Sequence, residues 1–492
     1  MNNDQHCSIL QNIARRVMIE RGLQPDFSAQ ALSELKKITI AATASDESII
    51  DLRNLLWASI DNDDSMDLDQ LTVAESMEDG RVKVQVAVSD VDALVHLGSA
   101  IDEDAAFNTT SIYTAAVIYP MLPEKLSTDL TSLSQGEDRL AVVVEMIVDR
   151  DGKVTDSGIY RAIVHNQAKL AYNSVAAWLD GEGEIPEPIT KVEGLAENLR
   201  LQDEIAQAMK NYREVNGALS LETIEAKPVF DGEQLSNLEI ETRNRAKEII
   251  EDFMIGANGV TARYLSAQGF PSIRRVVRNP ERWDRIVQLA ETHGYSLPDD
   301  PNSAALEAFL VKEKVKDPLR FPDLSLAIIK LMGNGEYMAQ FPGQTAPGHF
   351  GLAVKDYSHS TAPNRRYTDL ITQRLLKAAL KGAPVPYKND DLDDLARHCT
   401  EQEDIVNKVE RQIAKSAAAL LLQSRIGERF NALVTGASPK GTWARLIDIP
   451  VEGRLMHGFE GIDVGDKIRV ELISVDVDRG FIDFRLAGMP RH

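Results

Sequence analysis

Apolar positions along the chain change period three times. Ile9, Ile13 and Val17 recur at helical spacing, Gly22 and Pro25 stop the run, and Ser28 stands as an N-cap before Leu32 and Leu35, so residues 1–45 read as two short helices. From 70 to 90 the period is two: QLTVAESM, an EDG turn, then RVKVQVAVSD with Val82, Val84, Val86 and Val88 on one face, which predicts a hairpin. A second hairpin is predicted from strands at 140–149 and 154–165 meeting across Asp151-Gly152. After about 195 helical patterns take over, at 197–212, 244–265, 281–292, 303–313, 323–333, 368–381 and 390–428. The last 60 residues return to strands: NALVTGA, KGTWARLID, VEGRLM, DKIRVELISVDV and FIDFRLAG, an order that suggests an OB barrel. The fold class expected is therefore α+β with an all-β C-terminal domain, without internal repeats.

Composition narrows the picture. A chain of 492 residues, 43% hydrophobic and 26% charged, can bury a sizeable core and is neither collagen-like nor mostly disordered. Cys7 and Cys399 lie far apart and form no CxxC pair, which excludes a disulfide framework and a zinc ribbon and points to a reducing, cytoplasmic setting. MNNDQHCSIL is not a signal peptide and no stretch approaches the roughly 18 apolar residues of a membrane span, so no membrane association is expected. The net charge of −22 argues at first against a polyanionic partner. The average conceals an asymmetry, because residues 46–104 hold 16 Asp/Glu against Arg53, Arg81 and Lys83, a local balance of −13, whereas 341–492 is nearly neutral.

Five of the twelve residues in SIDNDDSMDLDQ (59–70) are aspartates, in a segment expected to loop over the end of a sheet ahead of the first hairpin. Two carboxylates ~4 Å apart repel by ~4 kcal/mol at an effective dielectric of ~20, so such a group must spread into solvent, protonate or hold a cation. A solvated acidic turn is one reading. An EF-hand loop is not, since counting from Asp61 puts Met66 at the glycine position and Thr72 at the bidentate glutamate. Magnesium or manganese, held by few carboxylates with water and phosphate, is the other.

At this point the residues resemble a known family. SIDNDDSMDLDQ is similar to the aspartate motif of the ribonuclease II/ribonuclease R (RNB) exoribonucleases. IYPMLPEKLSTDLTSL (118–133), NGALSLETIEAK (216–227), AKEIIEDFMIGAN (246–258), YSHSTAPNRRYTDLITQRLL (357–376) and NKVERQIA (407–414) resemble successive motifs of the catalytic domain in order, and the last five strands resemble the S1-type RNA-binding domain. The resemblance runs from about residue 50 to 488. Beside the helical region read at 1–45, it implies an RNB-type catalytic domain at 46–429 and an S1-type OB domain at 430–492. It also implies a magnesium-dependent hydrolytic enzyme, manganese being possible, that removes 5′-mononucleotides from the 3′ end of single-stranded RNA.

Carried over residue by residue, the resemblance places Asp61, Asp67 and Asp69 on three of four catalytic and metal-binding aspartates, with Gln70 at the fourth position, where its carbonyl can coordinate but brings no charge. Clustered carboxylates suit a metal-assisted in-line displacement. Arg365 matches the arginine on the scissile phosphate, with Arg366 beside it as a second candidate. Tyr113 matches an aromatic that stacks on a terminal base, and Tyr172 and Glu251 match the pair that reads the ribose. Leu221 stands where members often carry a phenylalanine, and Glu410 matches a glutamate near the site. On the barrel, Lys440, Trp443, Arg445 and Arg454 are candidate RNA contacts, Trp443 being equally suited to the barrel core.

The largest departure is at the N-terminus, where two helices stand instead of the family's two cold-shock domains. With Arg15, Arg16, Lys36 and Lys37 they suit either a helix-turn-helix unit or plain packing. Two rivals to the exoribonuclease expectation are a catalytically weakened RNA-binding relative, for which Gln70 speaks, and an endonuclease or other phosphodiesterase. Nothing in the sequence signals an oligomeric state.

Overall fold

The computed structural model describes residues 6–43, 48–241, 243–438, 441–462 and 464–487. At its centre is a seven-stranded sheet with the order 50–51, 154–165, 138–148, 82–89, 70–76, 58–61, 168–171. The β-branched run Val82–Ser89 pairs antiparallel with Gln70–Ser76, the first predicted hairpin, and on its other side with Asp138–Val148, which in turn pairs with Val154–His165 as the second predicted hairpin. Strand Ala58–Asp61 pairs parallel with Ala168–Ala171, so the first aspartate of the acidic segment ends a strand and only the residues after it form the loop.

The face carrying Val84, Val86, Val88, Val142 and Val144 is covered by helix Arg245–Ala267, through Ile249, Phe253, Ala257 and Val260, and by helix Tyr367–Leu380, through Leu370, Ile371 and Leu375. The other face buries Leu71, Val73, Ala87, Val143 and Trp57, whose indole N–H donates to the Leu52 carbonyl at 2.8 Å. The seven predicted helices are present, the last as Asn389–Leu422, which ends before the expected residue 428 in a turn at Gln423–Arg425.

Part of the acidic excess over 46–104 is structural. Asp90 accepts from Lys377 at 2.6 Å and Arg161 at 2.9 Å, Asp92 from Arg374 at 3.0 Å and Lys377 at 2.7 Å, and Asp102 from Arg374 at 2.8 Å and the Tyr367 hydroxyl at 3.0 Å. Buried charges of this kind are tolerated only as a satisfied set. This set fastens helix Tyr367–Leu380 to the end of the sheet.

The C-terminal five strands, Arg429–Ser438, Gly441–Leu446, Glu452–His457, Lys467–Asp476 and Phe481–Leu486, close a barrel in which the third lies parallel to the fifth. Its core of Ala432, Ala444, Leu446, Leu455, Val470, Leu472 and Phe484 is continuous with Ala418, Ala419 and Leu422 of the long helix. Close approach at this seam requires Gly480 (φ +68°), where a Cβ would stand 2.6 Å from Lys415 Cβ. Ala444 and Leu446 point inward, which leaves Trp443 and Arg445 on the outer face of their strand. Lys440 lies outside the described residues.

The two N-terminal helices form as expected, and Ser28 Oγ accepts from the Ala31 amide at 3.1 Å. They do not make a unit of their own. Helix His6–Glu20 buries Ile13, Val17 and Met18 against Ile112 and against Val406, Val409 and Ile413 of the long helix, and Leu10 against Leu235 and Leu420. Helix Ala29–Leu35 docks on helix Ala100–Asn108, where the Ala100 amide donates to Glu34 at 2.8 Å and the Ser28 amide to Asp104 at 2.7 Å. Arg15 is paired with Asp26 and Arg16 with Asp478 of the barrel. Both helices are thus packed against the body of the protein.

Leu10→Ala is therefore expected to cost about 2–4 kcal/mol of the stability of the main unfolding transition, Leu10 being fully buried. Denaturant titration checks this; an unchanged main transition would mean that the helix is an appendage.

Candidate active site

Asp61 closes its strand, and its Oδ1 accepts from the Asn62 amide at 2.7 Å and the Ser65 hydroxyl at 2.9 Å, which curls the loop back on itself. Buried Leu68 then anchors the loop: its amide donates to Ser132 Oγ at 3.1 Å, and Ser132 in turn donates to the Met66 carbonyl at 2.7 Å. Ser132 belongs to the 118–133 motif, so that motif's role here is to set the shape of the aspartate loop. Asp63 and Asp64 stay exposed at its tip.

Asp69, 2% exposed, has both oxygens engaged. Oδ1 accepts from the Asn364 amide at 2.9 Å and Oδ2 from Arg365 Nε at 3.0 Å. Burial pushes its pKa up to about 7 against the pull of Arg365. Burial also raises Asp67, with the neighbouring charge of Asp61 adding to it. The Arg365 side chain is 41% exposed, and its two terminal nitrogens take no hydrogen-bonded partner among the described residues. Its carbonyl is gripped by the Ser111 amide and the Thr110 hydroxyl, each at 2.9 Å.

Tyr113 lies on the same short segment. Its hydroxyl donates to Asp67 Oδ2 at 3.4 Å and its amide to Glu410 Oε1 at 2.8 Å, so Glu410, raised by burial, reaches the site by holding Tyr113. Arg366 is used otherwise. It makes a two-point pair with Asp369, at 2.9 and 2.8 Å, and Asp369 also accepts the Ala362 amide at 2.8 Å. The second arginine thus clamps the loop that presents the first.

Beside the cluster opens a cleft of about 790 Å³ whose walls include Asn62, Tyr172, Leu221, Arg243, Lys247 and Glu251. Three of the residues assigned by resemblance to the terminal nucleotide, Tyr172, Leu221 and Glu251, therefore share one cavity with a neighbour of Asp61, whereas Tyr113 stands at the aspartates and does not line it. Tyr172 stands under Lys247, whose Nζ is 5.8 Å from the ring centroid, and Glu251 is ion-paired with Arg243. Arg243, Ser132 and Asn364 escape the sequence reading. Asn364 could have been found as the neighbour of Arg365, whereas nothing in the sequence singles out the other two. Gln70, 7% exposed, begins the strand opposite Val88 and makes no hydrogen bond to the three aspartates among the described residues.

A divalent cation fits these residues in one way. Among the described residues no group of three or more His, Cys, Asp or Glu is arranged to hold a metal by itself. Asp61 and Asp67 are accessible and close enough for one charge to raise the other, while Asp69 is tied to Arg365. This donor set suits a hydrated hard ion completed by water and phosphate oxygens, and does not suit a cage made of protein alone.

Residues 49–382 match the RNB domain, and residues 428–487 match the RNase II-type exonuclease C-terminal S1 domain. The chain belongs to the RNB family. It is 30% identical over 466 residues to ribonuclease R of Aquifex aeolicus (strain VF5), covering 89% of this chain and 64% of that protein, and 28% identical to ribonuclease R of Escherichia coli (strain K12), covering 90% and 58%. It thus spans about three fifths of the length of these relatives. Among solved structures, Mycoplasma genitalium RNase R in complex with ribose methylated single-stranded RNA matches with a TM-score of 0.85 at 22% identity, over 97% of this chain and 78% of that one. Yeast Ssd1, described as a pseudonuclease, matches with a TM-score of 0.72 at 17% identity, over 95% and 57%. The resemblance, the α+β core and the S1-type barrel expected from the sequence are borne out.

The Asp69 carboxyl takes up its proton near pH 7 in the folded, metal-free protein but only near pH 4 when unfolded, so its contribution to stability is present below pH 4 and is lost as pH rises to 7. Asp69→Asn, which mimics the protonated form, is expected to gain on the wild type by an amount on the order of a few kcal/mol at pH 8 in chelator, with the gap closing toward pH 4. Denaturant titration across that range decides it; a wild type that is the more stable at pH 8 would show that the Arg365 pair outweighs burial.

Proposed function

We propose that this chain is a metal-dependent 3′-to-5′ exoribonuclease that hydrolyses single-stranded RNA to 5′-mononucleotides in the cytoplasm. The observation that carries the reading is the meeting of Asp61, Asp67, Asp69 and Arg365 beside a cleft walled by Tyr172, Leu221 and Glu251. Family membership and the RNA in the relative's structure support it. Among the described residues no helix is long and apolar enough to cross a membrane.

Asp61 and Asp67 would hold magnesium, with manganese as the alternative. Such an ion neutralises phosphate charge and makes a bound water acidic. Arg365, oriented by Asp69, offers its free terminal nitrogens to the scissile phosphate as negative charge develops. Asp69 keeps lone pairs beyond its two hydrogen bonds, with which it can take the proton of the attacking water. The water oxygen bonds to phosphorus and the P–O3′ bond breaks, O3′ taking a proton from solvent while Asp69 later returns the water's proton to solvent, which leaves a 5′-nucleotide and a new 3′-hydroxyl on the shortened RNA. Tyr113 stacks on a base. Tyr172 and Glu251 read the ribose, Glu251 exchanging its bond with Arg243 for the 2′-hydroxyl. Leu221 gives aliphatic contact where an aromatic would clamp.

The rival reading, an RNA-binding relative with weakened catalysis, rests on Gln70 and on a fold shared with a pseudonuclease. One experiment separates the readings. With magnesium, 5′-labelled single-stranded RNA should shorten progressively, EDTA should stop this, and Asp69→Asn should lower the rate by about 10²–10³-fold while RNA stays bound. Binding without cleavage by the wild type would favour the rival, and a discrete internal product would mean an endonuclease.

A further inference from the structure

Arg445 stands on the outer face of the barrel, where the sequence suggests an RNA contact, yet its guanidinium is not available for one. Nη2 donates to Asp323 Oδ2 at 2.8 Å and Nε to Oδ1 at 3.3 Å, and the two side chains are only 11% and 17% exposed. Asp323 lies in the first turn of helix Phe321–Met332. The residue before it, Pro322, lines the nucleotide cleft, and two residues on, Ser325 Oγ accepts the amide of Glu222, the neighbour of Leu221 on the cleft wall. The barrel touches the start of this helix a second time, where the Gly465 turn (φ +93°) rests against the side chain of Arg320, the helix N-cap.

We propose that Arg445 and Asp323 are a positioning pair that fixes the barrel relative to the nucleotide cleft, so that RNA bound on the barrel is led into the cleft in one register. A two-point, largely dehydrated arginine–carboxylate pair is directional, unlike apolar contact, and therefore sets orientation as well as proximity. The proposal rests on the exoribonuclease reading only for the identity of the ligand. The mechanical coupling of barrel, helix and cleft wall is a property of the protein alone.

The variants are Arg445→Gln, Asp323→Asn and the exchange Arg445→Asp with Asp323→Arg. Amide hydrogen exchange on the free protein should quicken in 441–446, 321–332 and 219–225 in both single variants and recover in the exchange variant. Fluorescence anisotropy in EDTA should show each single variant binding a 25-nucleotide RNA about tenfold more weakly and a 5-nucleotide RNA less than about twofold more weakly, with recovery on exchange of the charges. Unaltered hydrogen exchange at 219–225 in both single variants would overturn the coupling. Loss of affinity in Arg445→Gln but not in Asp323→Asn, without recovery on exchange, would overturn it in favour of direct RNA contact. If the wild type binds neither RNA, the exoribonuclease reading falls, while hydrogen exchange still decides the pair.

Discussion

The geometry of the site depends on a carboxylate that has almost no water. Asp69 sits where the aspartate loop enters the central sheet, and its two oxygens are held by the amide of Asn364 and the Nε of Arg365, from the loop before helix Tyr367–Leu380. One side chain thereby joins the two segments that carry the acidic and basic halves of the site. A buried carboxylate is tolerated only if its acceptors are filled, so the requirement to satisfy Asp69 also fixes where the Arg365 guanidinium stands. What surrounds this bond reinforces it. Arg366 and Asp369 clamp the loop from behind, Thr110 and Ser111 hold the Arg365 carbonyl, and Ser132 sets the path of the aspartate loop.

Charge is used in three distinct ways within a short stretch of chain. Asp90, Asp92 and Asp102 are structural, neutralised by Arg161, Arg374 and Lys377 at the seam between sheet and helix. Asp63 and Asp64 are solvated. Asp61 and Asp67 remain partly accessible and imperfectly compensated, which is the electrostatic condition for recruiting a cation. The acidity of residues 46–104 is therefore divided among scaffold, solvent and site. It opposes RNA less than the local balance of −13 suggests, because the structural acids are paired with cations from outside that stretch.

Regular patterns were legible in the sequence where a single face is buried. The valines of 82–89, the two hairpins, the five barrel strands and the Ser28 cap all follow from period and capping chemistry. Helix Ala100–Asn108 was missed because only Ile101 and Ala105 are apolar and buried in it, beside an Asp102 that is buried for its ion pair. The hairpin of Glu225–Asp231 and Gln234–Glu241 buries only Leu235 and Leu238, three positions apart, so its pattern shows no period-two core face. Strand Ala58–Asp61 is too short to read and exists because Ala168–Ala171 lies beside it. In the site, resemblance supplied the residues and the structure supplied their relations. Arg365 and Arg366 are adjacent and alike in sequence, and only tertiary contacts show that one is presented to the cleft region while the other is spent on Asp369. Arg445 is a parallel case, since an arginine on an outer barrel face looks free until its partner from 122 positions away is known.

In the proposed division of labour Asp61 and Asp67 bind the cation and Asp69 orients Arg365. Its most direct test is manganese binding to the free protein, followed by electron paramagnetic resonance, in Asp61→Asn, Asp67→Asn and Asp69→Asn. The account predicts that either of the first two weakens manganese affinity by about tenfold or more, the scale of losing one directly held charge, whereas Asp69→Asn leaves it within about threefold. Equal losses in all three would contradict it, and would mean that Asp69 leaves Arg365 to join the ion.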